Sequence, residues 1–195
     1  MADRVLIEAI GPASGSAARL KEAALVALGV MLLAVSAKIS VPMWPVPVTM
    51  GTFAVLTLGA AYGPRLGLTT IIVYLAIGAS GFDVFAGSSA TDNGIAYMLG
   101  GTGGYLVGYV LATLLLGAAA RRGWDRARGR MALALLAGNA VIYIPGLLWL
   151  GQLYGWDQPI LAWGLWPFLV GDALKLGLAA LLLPAAWRAV AAARS

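Results

Sequence analysis

Six apolar runs, near or somewhat below the ~20 residues that carry a helix across a bilayer, alternate in this chain with short connections rich in Pro, Gly and Arg. No water-soluble fold of 195 residues could hide them: 61% of the residues are hydrophobic and 11% charged, where soluble domains carry roughly a quarter charged. The runs predict spans at about 22–41, 48–62, 66–80, 104–120, 131–150 and 164–187. The expected fold class is therefore all-α, a polytopic six-helix membrane bundle forming one domain over 1–195. The first run stops at Pro42, Pro45 and Pro47, the second at Gly63-Pro64-Arg65, and the third at Gly78 and Gly81. The second and third runs, at about 15 residues, fit either two thin crossings or a hairpin that stops short of crossing.

Residues 1–20 read as a polar cytoplasmic lead-in, because Asp3, Arg4, Glu8 and Arg19 interrupt any continuous apolar core. The stretch Gly81–Gly104 is rich in Gly, Ser, Thr, Asp and Asn, and a polar segment of that length in a compact membrane domain is usually functional. Lys and Arg collect on one side. Arg4, Arg19 and Lys21 precede the first span, Arg65 joins the second and third, Arg121, Arg122, Arg126, Arg128 and Arg130 join the fourth and fifth, and Arg188 and Arg194 follow the sixth. The opposite connections carry only Asp83, Asp92 and Asp157. Positive charge stays on the cytoplasmic side, so both termini are expected there and the Gly-rich loop outside, in a prokaryotic plasma membrane.

The chain has no cysteine and no histidine, which removes thiol catalysis, imidazole metal sites and every His-based triad. It has no phosphate-binding G-x-x-x-x-G-K-[ST] loop, and its net charge of +5 lies in no polar domain that could track nucleic acid. The expectation is a protein that is not an enzyme and needs no metal or cofactor.

Three ionisable groups remain in or beside the apolar runs: Lys38, Asp172 and Lys175. Each costs about 2.5 to 3.5 kcal/mol near a helix centre, so such residues normally face a cavity or a partner. Asp172 and Lys175 stand at i and i+3, on one face of the last span, either as ligand groups or as a self-neutralising ion pair. Lys38 lies where its stem could lift the ammonium to the interface. Asn139 and Tyr143, at i and i+4, fit either ligand binding or inter-helix hydrogen bonding. Gly100-Gly101-Thr102-Gly103-Gly104 opens the fourth span and suits either an anion at free amides or close packing.

The strings VPVTMGTFAVLTLGAAYGPRLG, VYLAIGASGFDVFAG, GGTGGYLVGY, VIYIPGLLWL and PFLVGDALKLGLAA, in this order over about residues 25–185, resemble the BioY family. These are the biotin-specific substrate-binding components of energy-coupling-factor transporters. The resemblance implies a six-helix fold that binds biotin near its outer face and associates with a transmembrane coupling subunit and cytoplasmic ATPases; the alternative is a component for another vitamin. It assigns ligand roles to Asp172 and Lys175 in the G-D-x-x-K stretch and to Asn93 in the loop. On that basis Asp172 is expected to accept a ureido N–H and Lys175 to donate to the ureido oxygen or the carboxylate. Phe85, Tyr97 and Tyr143 are expected as aromatic walls, and Lys38 as a further ligand group. Ala23 and Ala27, spaced for close helix packing, are the expected coupling interface. Four positions depart from the family pattern: Lys38 and Gly51 stand where glutamine is common, Asp83 where proline is, and Ser88-Ser89-Ala90 where glycines run.

Overall fold

The computed structural model describes residues 4–11, 14–89 and 92–193. α1 (Gly15–Lys38) opens the bundle and is followed by a two-stranded ribbon, β1 (Ser40–Val41) and β2 (Val48–Thr49). α2 (Gly51–Ala79), α3 (Gly94–Met98), α4 (Gly103–Arg121), α5 (Arg128–Tyr154), α6 (Ile160–Gly164) and α7 (Trp166–Ala192) complete it. Five of these helical stretches are long and apolar enough to cross a membrane, with α6 and α7 taken together.

α2 is two legs. At Gly63 the backbone turns to φ 77° and ψ 178°, a conformation that suits glycine, and Pro64 then starts the second leg where its missing N–H costs nothing. A Cβ on Gly67 would sit 3.6 Å from the Gly59 Cα, although eight residues span about 12 Å along one helix. Thr52 and Tyr74, from opposite ends of α2, line the same cavity. The legs therefore fold back on each other, giving six helical legs among the described residues. At 1.5 Å per residue legs 51–62 and 64–79 measure roughly 18 and 24 Å, thinner than the ~30 Å hydrocarbon core.

Glycines set how closely the legs approach. A Cβ on Gly117 of α4 would lie 2.4 Å from the Pro64 nitrogen, and one on Gly108 would lie 2.6 Å from the Ile142 Cα of α5. Small residues let membrane helices meet backbone to backbone where no hydrophobic effect drives them together. Leu56, Leu116, Leu135, Ile142 and Leu150 fill the centre. Outward, α1 exposes Leu28, Met31, Leu32 and Val35, and α7 exposes Val170, Leu174, Leu178, Leu181 and Leu182. An apolar girdle this continuous belongs against lipid.

Two expectations change. Residues expected as a polar lead-in instead form structure: α1 already begins at Gly15, and a 3-10 turn, Leu6–Ala9, precedes it. Val5 is fully buried against Gly63, while Glu8 pairs with Arg121 at 2.6 Å and Lys21 donates to the Ile7 carbonyl at 2.8 Å. The apolar turn pins the start of the chain beneath the α2 fold-back. The expected all-helical path is also interrupted by the ribbon, because Pro42, Pro45 and Pro47 forbid helix after Ile39 and leave extended backbone to pair Ser40 with Thr49. Arg194 lies outside the described residues.

Candidate functional site

At the ribbon end of the bundle a cavity opens between α1, α2, α4, α5 and α7, roofed by the ribbon loop and by residues 80–89 and 92–102. Its empty volume, open mouth included, is about 600 Å3. It is a narrow slot. Val46, Pro47 and Thr49 come from the ribbon, Phe85 and Ala86 from the loop after α2, Tyr97 from α3, and Tyr105, Leu106 and Tyr109 from α4. Ile142 and Tyr143 of α5, with Phe168 and Lys175 of α7, form the far side.

The floor is a single polar cluster. Asp172 accepts from Lys175 Nζ at 3.0 Å and from the Thr52 hydroxyl at 3.5 Å on one carboxylate oxygen. On the other it accepts from Asn139 Nδ2 at 3.0 Å and from the Tyr143 hydroxyl. Lys175 also donates to Thr52 Oγ1 at 3.2 Å. The side chain of Asp172 is 3% exposed and that of Lys175 11%, so the pair shares a desolvated setting in which each charge requires the other. An ammonium has three protons, and two are committed to Asp172 and Thr52. The third is left for a group in the cavity. Asn139 Oδ1, also buried, has no hydrogen-bond partner among the described residues.

Aromatic rings make the walls. Phe85 stacks on Tyr97 with centroids 5.3 Å apart and meets Tyr74 edge-on at 5.3 Å. Tyr105 donates to the Gly164 carbonyl at 2.7 Å and crosses Tyr143 edge-on at 6.1 Å. Gly78 makes room for Phe85: a Cβ there would fall 2.0 Å from the ring. Above, Trp44 of the ribbon loop packs edge-on against Tyr154 and Trp163 at 5.4 and 5.1 Å, tying the roof to α5 and α6.

The sequence-derived residues divide into three groups. Lys175, Tyr143, Phe85 and Tyr97 line the slot. Asp172 stands behind Lys175, with both oxygens already accepting from protein donors, so the ureido N–H expected to reach it meets a saturated carboxylate. Asn93 caps α3, donating to the Ser89 carbonyl at 2.8 Å, and Lys38 is tied to the loop; neither lines the slot. Lys38 Nζ lies 2.5 Å from Asp83 Oδ1 and donates to the Ser88 carbonyl at 3.3 Å. The Ser88 hydroxyl in turn bonds Asp83, the Phe85 N–H and the Phe85 carbonyl. Three of the four departures from the family pattern thus meet in one latch. The fourth also has a neighbour: a Cβ on Gly51 would come within 2.9 Å of the Tyr109 hydroxyl. The glycines that open α4 are there for packing, since a Cβ on Gly104 would lie 2.2 Å from the Pro145 carbonyl oxygen.

Sequence reasoning missed Thr49, Thr52, Tyr74, Tyr105, Tyr109 and Phe168. Tyr105 and Tyr109, one turn apart on α4, carried a detectable signal, because two phenols on one face of a span need polar partners. Ala23 and Ala27 lie exposed on α1, away from the cavity.

Comparison with known proteins supplies an independent line. Residues 11–192 match the model of the BioY family. A probable biotin transporter BioY from Pyrococcus horikoshii is 40% identical over 163 residues, covering 83% of this chain and 93% of the relative. The biotin transporter BioY of Thermotoga maritima is 32% identical over 155 residues, covering 77% and 86%. The crystal structure of the S-component for biotin from an ECF-type ABC transporter superposes with a TM-score of 0.72 over 90% of this chain and 95% of that one. At 21% identity that likeness is one of fold.

Proposed function

The chain belongs to the BioY family, and on that premise we propose that it is the biotin-binding membrane component of an ECF-type uptake transporter. It takes biotin at the outer face and releases it inward with a transmembrane coupling subunit and cytoplasmic ATPases. It is a multi-pass protein of a prokaryotic plasma membrane, performs no catalysis of its own, and has both termini in the cytoplasm.

The observation that carries the reading is a lysine, buried against its carboxylate partner, at the floor of an aromatic slot. Biotin offers a flat ureido ring with two N–H donors and a carbonyl, an apolar thiophane ring and a valerate carboxylate. Lys175 donates its third proton to the ureido oxygen or to the carboxylate. Asp172 acts through Lys175, fixing the ammonium beside Thr52 while Asn139 and Tyr143 hold the carboxylate. Phe85, Tyr97 and Tyr143 enclose the rings, and excluding water strengthens the charge-assisted bond. The roof opens for entry and closes behind the ligand, Asn93 holding the base of α3 and Lys38 the loop. Ala23 and Ala27, exposed on α1, meet the coupling subunit.

Titrating purified protein with biotin tests this. Lys175→Ala lowers affinity roughly tenfold or more, the worth of one charge-assisted hydrogen bond. Unchanged affinity for biotin in that variant removes Lys175 from the site. Tighter binding of a different vitamin in a ligand panel moves the chain to the alternative substrate.

A further inference from the structure

A second cavity lies at the opposite end of the bundle, outside the biotin site. Arg4, Arg126 and Arg188 surround it, and Ala9, Pro184, Val190, Ala191 and the Trp187 ring form its floor, with an empty volume of about 990 Å3, open mouth included. Its depth follows from helix length. Pro184 stands 18 residues into α7, roughly 27 Å from Trp166 and so at the far edge of a ~30 Å hydrocarbon core. The next turn, with Trp187 and Arg188, falls at headgroup level, where amphipathic rings and guanidinium groups settle.

The cavity is built rather than incidental. Trp187 Nε1 donates to the buried Asp125 carboxylate, which fixes the ring, and the Arg126 guanidinium lies 4.3 Å above its centre. Arg126 also donates to the Arg4 carbonyl at 3.3 Å, joining the start of the chain to the connection before α5. Asp125 is shielded beneath the ring, so the rim presents guanidinium groups while the floor presents carbon.

We propose that this cavity is a binding site for one anionic phospholipid of the cytoplasmic leaflet. The phosphate sits between Arg4 and Arg188, and the first part of an acyl chain runs over Pro184 and Val190 toward the exposed Leu181 and Leu182. A soluble anion would satisfy the rim but leave the apolar floor uncovered; a zwitterionic lipid would cover the floor but bring its own cation against the arginines. Only an anionic lipid meets both demands. Bound there, it bridges the start of the chain, the 124–126 turn and the end of α7.

The test is native mass spectrometry of detergent-purified protein titrated with phosphatidylglycerol or with phosphatidylcholine of the same chains. Wild type retains phosphatidylglycerol preferentially, and the double variant Arg4→Gln, Arg188→Gln lowers that retention roughly thirtyfold, as expected for two headgroup-level cations. Arg4→Lys, Arg188→Lys keeps most of it. Biotin affinity serves as the folding control and stays unchanged in all three proteins. Equal retention of the two lipids, undiminished retention in the Gln variant, or displacement of the lipid by millimolar inorganic phosphate would each overturn the proposal.

Discussion

Asp172 and Lys175 illustrate why a buried ion pair is informative in a span: either charge alone would be costly there, so the pair persists only where geometry satisfies both. Removing one partner must therefore hurt in a way that removing both does not. Asp172→Asn is expected to lower biotin affinity almost as far as Lys175→Ala, because the ammonium then loses its anchor, and the double variant should fall no lower than the worse single. Additive losses would mean that the two residues meet the ligand independently. The latch on the roof gives a pH prediction. Bonds from Lys38 and Ser88 hold the Asp83 carboxyl below its ordinary value near 3.8, so the stabilisation is complete above that value and disappears as pH falls through the lowered one. Dissociation of biotin should be independent of this group from pH 7 to 5 and should accelerate in strong acid. Asp83→Asn should release biotin faster at neutral pH and lose that acid dependence; matching rates in variant and wild type across the range would leave the latch without a role.

Helices here are positioned by what their glycines permit, and two of those positions differ in how much their neighbours can give. Gly78 faces the ring of Phe85, a side chain with the slot beside it, whereas Gly117 faces the backbone at Pro64, with no such space. Gly78→Ala should push Phe85 into the slot and weaken biotin binding while leaving thermal stability largely intact. Gly117→Ala should instead cost about 1 to 3 kcal/mol of stability through overpacking, with affinity preserved in the protein that folds. Gly177 of α7, with nothing within 4 Å of its would-be Cβ, is the control; alanine there should be neutral or stabilise by up to about 1 kcal/mol. Thermal unfolding and biotin titration of the three variants separate these outcomes, and a uniform stability loss would refute the contrast. These approaches could not be read from the sequence, since a glycine that admits a ring and one that admits a backbone are written alike. The stops at Pro42 and at Gly63-Pro64 were legible because their chemistry is local. The ribbon was not, as two paired residues on each side leave no periodic trace.

For the molecule as a whole, the apolar runs made the membrane class and the six-span plan legible, because lipid demands long uninterrupted segments. The cavity was only half legible. Lys175 stood out as a costly charge, Tyr143 as a polar neighbour of Asn139 in a span, and Phe85 and Tyr97 as aromatics of the Gly-rich stretch; Tyr105 and Tyr109 were readable only as a pair of phenols on one face, and Phe168 lies in an apolar run where an aromatic reads as packing. Val5 was hidden by the charges around it. Sidedness is a whole-molecule property that the arginine distribution argues strongly: Arg65, Arg121, Arg122, Arg126, Arg128, Arg130 and Arg188 share one end, while Asp83, Asp92 and Asp157 share the other. The absence of native cysteine makes this testable without a background to remove. Single replacements Ser80→Cys and Asp157→Cys at the roof end, and Ser14→Cys and Gly129→Cys at the arginine end, all fall at polar or exposed positions. In intact bacterial cells a membrane-impermeant maleimide should label the first two, and the second two only after the membrane is opened. The reverse pattern would turn the slot toward the cytoplasm, and a binding component that faces inward could not capture vitamin from outside.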